Sequence, residues 1–168
     1  TIASHLPKAV GAALSINRAK DLGLKGVMPD ESIVLCSFGD ASANHSTALG
    51  AFNTAGWIAY QKIKMPIVFI CEDNRIGISV KTPEHWIERS FSHRPEVQYI
   101  KCDGLNMFDV YVKAKEADRL ARECRLPVFF HMETVRLLGH AGSDVESVYS
   151  TISEIEQREF DDPLLHSS

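Results

Sequence analysis

The sequence predicts an α/β fold of three layers, with a mainly parallel sheet between helices on both faces. Four short apolar runs alternate with longer stretches in which apolar residues recur at helical spacing. The runs are apolar almost throughout, which is typical of parallel strands that are buried on both faces. Alternation of strands and helices along the whole chain favours parallel pairing, with the connecting helices packed on the sheet.

The first element is a helix predicted over residues 5–22, with apolar side chains every three or four positions and Gly23 as a suitable end cap. Segments 25–32 and 136–150 are polar, contain glycine, and are predicted to form loops. Later helices are predicted from near residue 44 to 63, at 107–124 and at 151–160, and strands at 33–38, 67–71, 97–102 and 126–133.

Two side chains are predicted to cap helices. Thr82 precedes Pro83 and a short helical segment, and this order is a common signal for a helix start. Asn106 precedes a long helical pattern, where its side chain can accept the free backbone N–H groups of the first turn.

Composition limits the classes of protein to consider. The chain has 168 residues, a net charge of −4 and 45% hydrophobic residues, which suits one globular domain. It has no basic block, so binding to nucleic acid or to an anionic membrane surface is not expected, and its apolar runs are too short to span a bilayer. We expect residues 1–168 to form a single domain, as a fragment or one part of a larger protein.

The four cysteines are interpreted as free thiols in a reducing compartment. They form no CxxC pair, which argues against a zinc site, and three of them lie in or beside predicted strands. These residues are Cys36, Cys71, Cys102 and Cys124.

Polar turns follow the first two apolar strands. Asp40 comes directly after one strand, and Asn74 follows the next. Because parallel strands end at one edge of the sheet, both turns should lie at the edge where such sheets bind ligands. Carboxylate and amide oxygens suit Mg²⁺ or Ca²⁺, and the helix beginning near Asn44 would direct N–H groups toward a phosphate. These residues indicate a metal-bridged diphosphate site.

Simpler roles exist for the same residues. Asp40 alone could cap the next helix, and Asn74 could stabilise a turn, but their spacing and flanking residues together favour metal ligation. Elsewhere, His131 lies between apolar residues and is interpreted as a hydrogen-bonded structural residue. The two tryptophans, Trp57 and Trp86, are interpreted as packing residues.

Several separated segments resemble the α component of thiamine diphosphate-dependent 2-oxo acid dehydrogenases, the E1 enzymes. That family's cofactor motif begins with Gly-Asp-Gly and ends with Asn-Asn, and the resemblance covers most of the chain. The matching segments lie at residues 4–11, 39–41, 72–74 and 136–140.

The sequence departs from the family pattern at a few positions. Ala41 replaces the third glycine of the motif, and Asp73 replaces the first asparagine. The segment between Asn53 and Pro66 is a few residues longer than usual. Ala141 stands where the animal pyruvate enzymes carry a regulatory serine, which argues against the same phosphorylation switch.

The resemblance implies a role for each matching residue. Asp40 and Asn74 would bind Mg²⁺ through side-chain oxygens, and Ile76 would do so through its backbone carbonyl. Ala41 and Ser42 would approach the diphosphate through their backbones.

Two residues of the long loop complete the implied site. Arg136 would pair with the diphosphate, since its planar guanidinium matches phosphate oxygens. His140 would be the catalytic residue that holds or transfers a proton near the reacting end of the cofactor. The neighbouring His5 and His45 flank this site without an assigned role.

The implied activity is oxidative decarboxylation of a 2-oxo acid with acyl transfer to lipoamide, and this chain would supply the Mg²⁺-diphosphate half of the site. Implied partners are a β-type E1 component or fused pyrimidine-binding domain, a lipoyl-bearing E2, and a second copy in an oligomer. Alternatives are an acetoin dehydrogenase, a transketolase-like enzyme, or a non-catalytic assembly module. The expected compartment is the bacterial cytoplasm or an organelle matrix.

Overall fold

A computed structural model describes residues 2–24 and 28–166 of the chain. Its helices are α1 (His5–Asp21), α2 (Ser46–Tyr60), α3 (Trp86–Phe91), α4 (Met107–Arg122), α5 (Ile152–Phe160) and α6 (Pro163–His166), and its strands are β1 (Val34–Gly39), β2 (Ile67–Asp73), β3 (Gln98–Asp103) and β4 (Val128–Glu133).

The four strands form one sheet in the order β1-β2-β4-β3, and every neighbouring pair is parallel. Two separate hydrophobic clusters lie on its two faces, one shared with α1, α2 and α3 and the other with α4. Helices therefore cover both faces, and the predicted three-layer α/β fold is confirmed. Register places Gly39 beside Glu72, and Asp73 beside Glu133, so β1, β2 and β4 end within one residue of each other at the same edge of the sheet.

Aromatic rings fill the core on the first face. Phe52 of α2 contacts Phe69 and Phe129 of the sheet at ring-centre distances of 4.9 and 5.4 Å. Phe91 of α3 stacks on Phe129 at 4.5 Å. These rings join α2 and α3 to the central strands, and offset or edge-to-face pairs of this kind add to the stabilisation from buried area. The packing fixes the helices that lead away from the ends of β1 and β2.

Most predicted elements agree with the structure. The first helix ends one residue before the predicted limit, and each strand begins within two residues of its predicted start. Residues 25–27 of the first predicted loop lie outside the described residues. The loop at 136–150 contains a single short 3₁₀ turn, Glu146–Val148. None of the helices in the described part of the chain is long and apolar enough to cross a membrane.

Two local predictions were wrong. Thr82 does not cap α3, because the chain passes through a left-handed residue, His85, and the helix begins only at Trp86. Helix α2 begins at Ser46, two residues after the predicted start near Asn44, because the preceding residues form a 3₁₀ turn. The Trp57 ring is 66% exposed and is therefore not a packing residue.

The cysteines and the second cap agree with expectation. All four cysteines are free, and three of them are buried. Burial raises the pKa of the Cys102 thiol to about 12, which keeps it protonated and unreactive at neutral pH. The Asn106 side chain accepts the N–H groups of Phe108 and Asp109 at 3.0 and 3.2 Å, as a helix cap does.

Candidate functional site

The segments that follow β1, β2 and β4 border one cavity at the carboxyl edge of the sheet. Its volume is about 590 Å³, which is within the range of small-molecule sites. The structure brings all seven residues proposed from the sequence to this cavity. They are Asp40, Ala41, Ser42, Asn74, Ile76, Arg136 and His140.

Asp40 is a buried carboxylate at the end of β1. It is 2% exposed, and the Thr82 hydroxyl donates a hydrogen bond to it. Among the described residues, no lysine, arginine or histidine forms an ion pair with it. Burial raises the pKa of Asp40, and the nearby charge of Asp73 adds to this effect, while the Thr82 hydrogen bond opposes it. A buried carboxylate without a cation is energetically costly.

The chain leaves Asp40 in a 3₁₀ turn, Asp40–Asn44, rather than directly in a helix. Ala41 and Ser42 lie within this turn and are half-buried at the cavity wall. Helix α2 follows, and His45 is its cap, since the Nδ1 atom accepts the Thr47 N–H at 3.2 Å. The backbone N–H groups nearest the cavity therefore come from a tight turn and a capped helix start.

The segment after β2 begins with two successive Asx turns, one closed by the Asp73 side chain and the next by the Asn74 side chain. The Asp73 carboxylate accepts the Arg75 N–H at 3.1 Å, and the Asn74 amide oxygen accepts the Ile76 N–H at 3.2 Å. Arg75 has a φ of 61°. This value lies in the left-handed region, which residues other than glycine adopt only at an energetic cost. This conformation reverses the chain and brings Asn74 and Ile76 to the cavity.

The polar segment after β2 is here called the second turn, and a short antiparallel bridge between Ile76 and Lys81 closes it. It uses the N–H of Gly77, which donates to Val80 at 2.8 Å, and the carbonyl of Arg75, which accepts from Thr82 at 2.9 Å. The Ile76 carbonyl takes no part in this bridge, and no N–H of the described residues donates to it. This oxygen is therefore available to a ligand.

Arg136 ties the long loop to the second turn. Its Nη1 donates to the carbonyls of Gly77 and Ile78 at 2.7 and 3.1 Å, and its Nη2 donates to the Tyr149 hydroxyl at 3.0 Å. The Nε atom is buried and has no hydrogen-bond partner among the described residues. One N–H of the guanidinium thus remains unsatisfied in a residue that lines the cavity.

His140 lies in the same loop, and its ring is exposed at the cavity. Its backbone N–H donates to the Asp144 carboxylate at 2.7 Å, and the Tyr149 hydroxyl donates to the same oxygen. The hydroxyl of Tyr149 and the N–H of His140 lower the pKa of Asp144, with a further contribution from the Arg136 charge. Asp144 therefore stays ionised and holds the backbone of His140 in place.

Comparison with known families agrees with this geometry. The sequence profile of the family described as dehydrogenase E1 component matches residues 2–166. This chain belongs to the dehydrogenase E1 component family.

Curated relatives in two E1 groups are similar to this chain. It is 31% identical to the mitochondrial 2-oxoisovalerate dehydrogenase subunit alpha of Mus musculus, over 92% of this chain and 32% of the relative. It is 32% identical to the mitochondrial pyruvate dehydrogenase E1 component subunit alpha of Dictyostelium discoideum, over 79% of this chain and 34% of the relative. The somatic form of the corresponding Bos taurus subunit is 29% identical over 93% of this chain and 39% of its own length. The chain thus spans about a third of the curated relatives it matches.

Hydrogen bonds link three polar residues behind the second turn, and two of the three, Asp73 and His131, are buried. The Tyr99 hydroxyl and the His131 Nδ1 atom are 2.6 Å apart, and the His131 Nε2 atom is 2.8 Å from the Asp73 carboxylate. The interpretation of His131 as a hydrogen-bonded structural residue is therefore confirmed. Burial alone would raise the pKa of Asp73, but the hydrogen bond and charge of His131 and the Arg75 N–H outweigh it and lower that pKa.

Sequence reasoning missed the hydrogen bond by which His131 contacts Asp73 of the E1 motif. Asp73 was noticed as a departure from the family's asparagine, and His131 was interpreted separately. A histidine within an otherwise apolar strand was the signal that could have joined them, since His131 pairs with Cys71, two residues before Asp73, in the sheet register.

The cavity residues fit a magnesium diphosphate group. Among the described residues, no group of three or more histidine, cysteine, aspartate or glutamate side chains could hold a metal. Mg²⁺, however, is held in proteins by one or two carboxylates together with substrate phosphates and water. Asp40 supplies a buried carboxylate without a cation, and Arg136 supplies a buried Nε–H without an acceptor. A cation and an anion together would satisfy both groups.

Proposed function

We propose that this chain supplies the Mg²⁺-diphosphate half of the active site of a thiamine diphosphate-dependent 2-oxo acid dehydrogenase. The family match and the α-subunit names of its relatives support this class of reaction. The observation that carries the proposal is the buried Asp40 carboxylate, which has no ion-pair partner among the described residues and lies at one cavity with Asn74, Ile76 and Arg136. We also propose that the chain is one domain of a larger enzyme.

The metal ligands come from two turns. Asp40 would bind Mg²⁺ through a carboxylate oxygen, and Asn74 through its amide oxygen, which has a second lone pair beside the bond to the Ile76 N–H. The Ile76 carbonyl would be the third ligand. Hard oxygen donors of these three kinds match the preference of Mg²⁺.

The anionic group would be held by the backbone and by the long loop. Ala41 and Ser42 would contribute N–H groups from the turn that borders the cavity. Arg136 would direct its unsatisfied Nε–H toward a phosphate oxygen.

His140 would act at the exposed side of the cavity. Bound thiamine diphosphate supplies the electron sink that decarboxylation of a 2-oxo acid requires. His140 would hold or move a proton at an imidazole nitrogen near the reacting atoms, since a histidine can do both near neutral pH. Asp144 accepts the backbone N–H of His140, so the ring would be carried by a restrained backbone.

A second component would complete the site. We propose a β-type E1 component or a fused pyrimidine-binding domain, because this chain spans about a third of its relatives. A lipoyl-bearing E2 would receive the acyl group, and the assembly would be oligomeric. Bacterial cytoplasm or an organelle matrix stays a prediction for the compartment, and several relatives carry the word mitochondrial in their names.

Calorimetry tests this proposal. Thiamine diphosphate is titrated into the chain with and without Mg²⁺, alone and then with a β-type E1 component. Asp40→Asn is compared with Asp21→Asn, which removes an exposed carboxylate at the end of α1. Mg²⁺-dependent binding that is lost in Asp40→Asn and kept in Asp21→Asn is expected. Absence of binding by the folded wild-type chain in both settings would instead favour a non-catalytic assembly module.

A further inference from the structure

We propose that Tyr99, His131 and Asp73 form a positioning relay that fixes the turn carrying Asn74 and Ile76, and so sets the affinity of the site for its cation. The inference rests on the proposed function for the identity of that cation. The relay residues are positioning residues, because they lie behind the turn and do not border the cavity.

The inner half of the relay immobilises an imidazole. His131 is 1% exposed, and both of its ring nitrogens form hydrogen bonds within the protein. An ionised carboxylate only accepts, so Nε2 carries the proton that is donated to Asp73, and in the neutral ring Nδ1 then accepts from the Tyr99 hydroxyl. An imidazole bound on both sides has no free rotation about its ring torsion, so it presents the Nε2–H in one direction.

The outer half of the relay connects Asp73 to the turn. One carboxylate oxygen accepts from His131 at 2.8 Å, and the other accepts the Arg75 N–H at 3.1 Å. The Asp73 carbonyl accepts the Thr134 N–H at 2.9 Å, which ties the same residue to the end of β4. Asp73 is therefore held by the sheet and by His131 while it holds the backbone of Arg75.

The conformation of Arg75 decides where the proposed ligands lie. Its φ of 61° is costly for a residue with a side chain and persists only when its surroundings hold it. The Asp73 carboxylate supplies such a restraint at the Arg75 N–H. If Arg75 relaxed to a negative φ, the chain would no longer reverse, and Asn74 and the Ile76 carbonyl would turn away from the cavity.

The relay also explains why an aspartate stands where the family motif has asparagine. Both partners of the Asp73 carboxylate are donors, the Nε2–H of His131 and the N–H of Arg75. A carboxylate accepts from two donors, whereas an asparagine would turn its NH₂ group toward one of them. Asp73 and His131 thus match each other chemically.

The experiment compares two measurements on the full chain. Asp73→Ala and His131→Ala interrupt the relay, and His131→Gln retains an N–H that can donate to Asp73. Phe130→Leu is the matched control, because Phe130 is the neighbouring buried residue of β4 in the core cluster on the opposite face. Hydrogen exchange of the backbone N–H groups of residues 75–77 is measured without cofactor, and calorimetry then measures Mg²⁺-dependent binding of thiamine diphosphate.

Interruption of the relay should speed exchange at residues 75–77 and weaken Mg²⁺-dependent binding about 10- to 100-fold, as loss of groups that orient metal ligands does. His131→Gln should restore most of the slow exchange and most of the affinity. Phe130→Leu should change neither the exchange rate nor the affinity beyond its effect on global stability. Equal exchange and equal affinity in His131→Ala and Phe130→Leu would overturn the relay. If an alanine variant does not fold, the same two measurements on Tyr99→Phe decide between these outcomes, since this substitution removes only a single hydroxyl.

The two proposals can fail separately. If the wild-type chain binds no thiamine diphosphate with Mg²⁺ in any setting, the proposed function fails. The exchange measurement still decides the relay, because it needs no ligand. Faster exchange at residues 75–77 in Asp73→Ala and His131→Ala, but not in Phe130→Leu, would then support the relay, and unchanged exchange would refute it.

Discussion

Thr82 donates its hydroxyl hydrogen to the carboxylate of Asp40 across 42 positions of sequence. This contact joins the segment after the second turn to the end of β1. Because the backbone N–H of Thr82 also donates to Arg75 at 2.9 Å, one residue holds both turns of the proposed metal site. The orientation of the Asp40 carboxylate therefore depends on a residue outside the family motif.

Thr82→Val should weaken Mg²⁺-dependent binding of thiamine diphosphate by about tenfold, the lower end of the range for loss of a group that orients a metal ligand. Valine has nearly the same shape as threonine and lacks only the hydroxyl, so the fold should persist. Thr82→Ser keeps the donor and should bind almost as the wild type does. Calorimetric titration of the three proteins makes the comparison, and equal affinities for valine and threonine would contradict the role of the hydroxyl.

Arg136→Lys should loosen the long loop even though the positive charge is kept. The guanidinium donates to two carbonyls and to the Tyr149 hydroxyl at the same time, and an ammonium group cannot reproduce that planar arrangement. We expect faster proteolysis within residues 136–150 and weaker cofactor binding.

Tyr149→Phe is the matched control for Arg136→Lys. It removes the hydroxyl that links Arg136 to Asp144 but leaves both contacts of Arg136 to the second turn. Loop proteolysis should therefore increase less in Tyr149→Phe than in Arg136→Lys. The reverse order would mean that the loop is held mainly by Asp144.

Local sequence patterns predicted the elements of this fold, because each depends on residues that are close in the chain. The strand runs and the cap at Asn106 are of this kind. Thr82 shows where such reasoning fails: Thr-Pro is a local signal for a helix start, but a buried carboxylate 42 positions away uses the hydroxyl instead. Trp57 fails for a similar reason, since its apolar character cannot reveal that its side of α2 faces outward.

The candidate site was predictable only in part. Asp40 and Asn74 could be assigned to one sheet edge because each follows a predicted parallel strand, whereas the other five residues were implied by the family resemblance. The structure brings all seven to one cavity. The contact of Asp73 with His131 spans 58 positions and depends on β4 lying next to β2, which periodicity does not determine. Arg136 was expected to face a phosphate, but its hydrogen bonds to the Gly77 and Ile78 carbonyls join segments almost 60 positions apart, which a local pattern does not predict.

The start of α5 should give an acid-dependent contribution to stability. Thr151 and Glu154 form a capping box, and Lys81 donates to Glu154 at 2.7 Å. The Lys81 hydrogen bond and the Thr151 N–H and hydroxyl lower the pKa of Glu154 from 4.5 to about 2. Because this pKa is lower in the folded state, the stabilisation is complete above pH 4.5 and is lost as the pH falls toward 2.

Thermal unfolding of the wild type and Glu154→Gln at several pH values tests whether the stabilisation by Glu154 is lost as the pH falls. Glutamine can keep the hydrogen bonds of the capping box but has no charge to pair with Lys81. The difference in unfolding midpoint temperature between the wild type and Glu154→Gln should be constant near neutral pH and shrink as the pH falls below 4.5. It should also decrease in high salt, because the pair is exposed. A difference that grows in acid would contradict the shifted pKa.

Gly104 permits a close approach between the end of β3 and the end of β4. Its N–H donates to the Glu133 carbonyl at 2.7 Å, and a Cβ atom there would overlap that carbonyl and lie 2.9 Å from the Met132 Cγ. Gly104→Ala should therefore lower the free energy of unfolding by about 1–3 kcal/mol, as overpacking does.

Gly11→Ala is the control for that substitution. Gly11 lies on the exposed side of α1, and an added Cβ would meet no atom within 4 Å. Alanine there should raise the free energy of unfolding by about 0.5–1 kcal/mol, because glycine in a helix interior loses more backbone entropy on folding. Urea denaturation of both variants measures the two changes. Opposite signs are expected, since the same added methyl group meets backbone at one site and open space at the other.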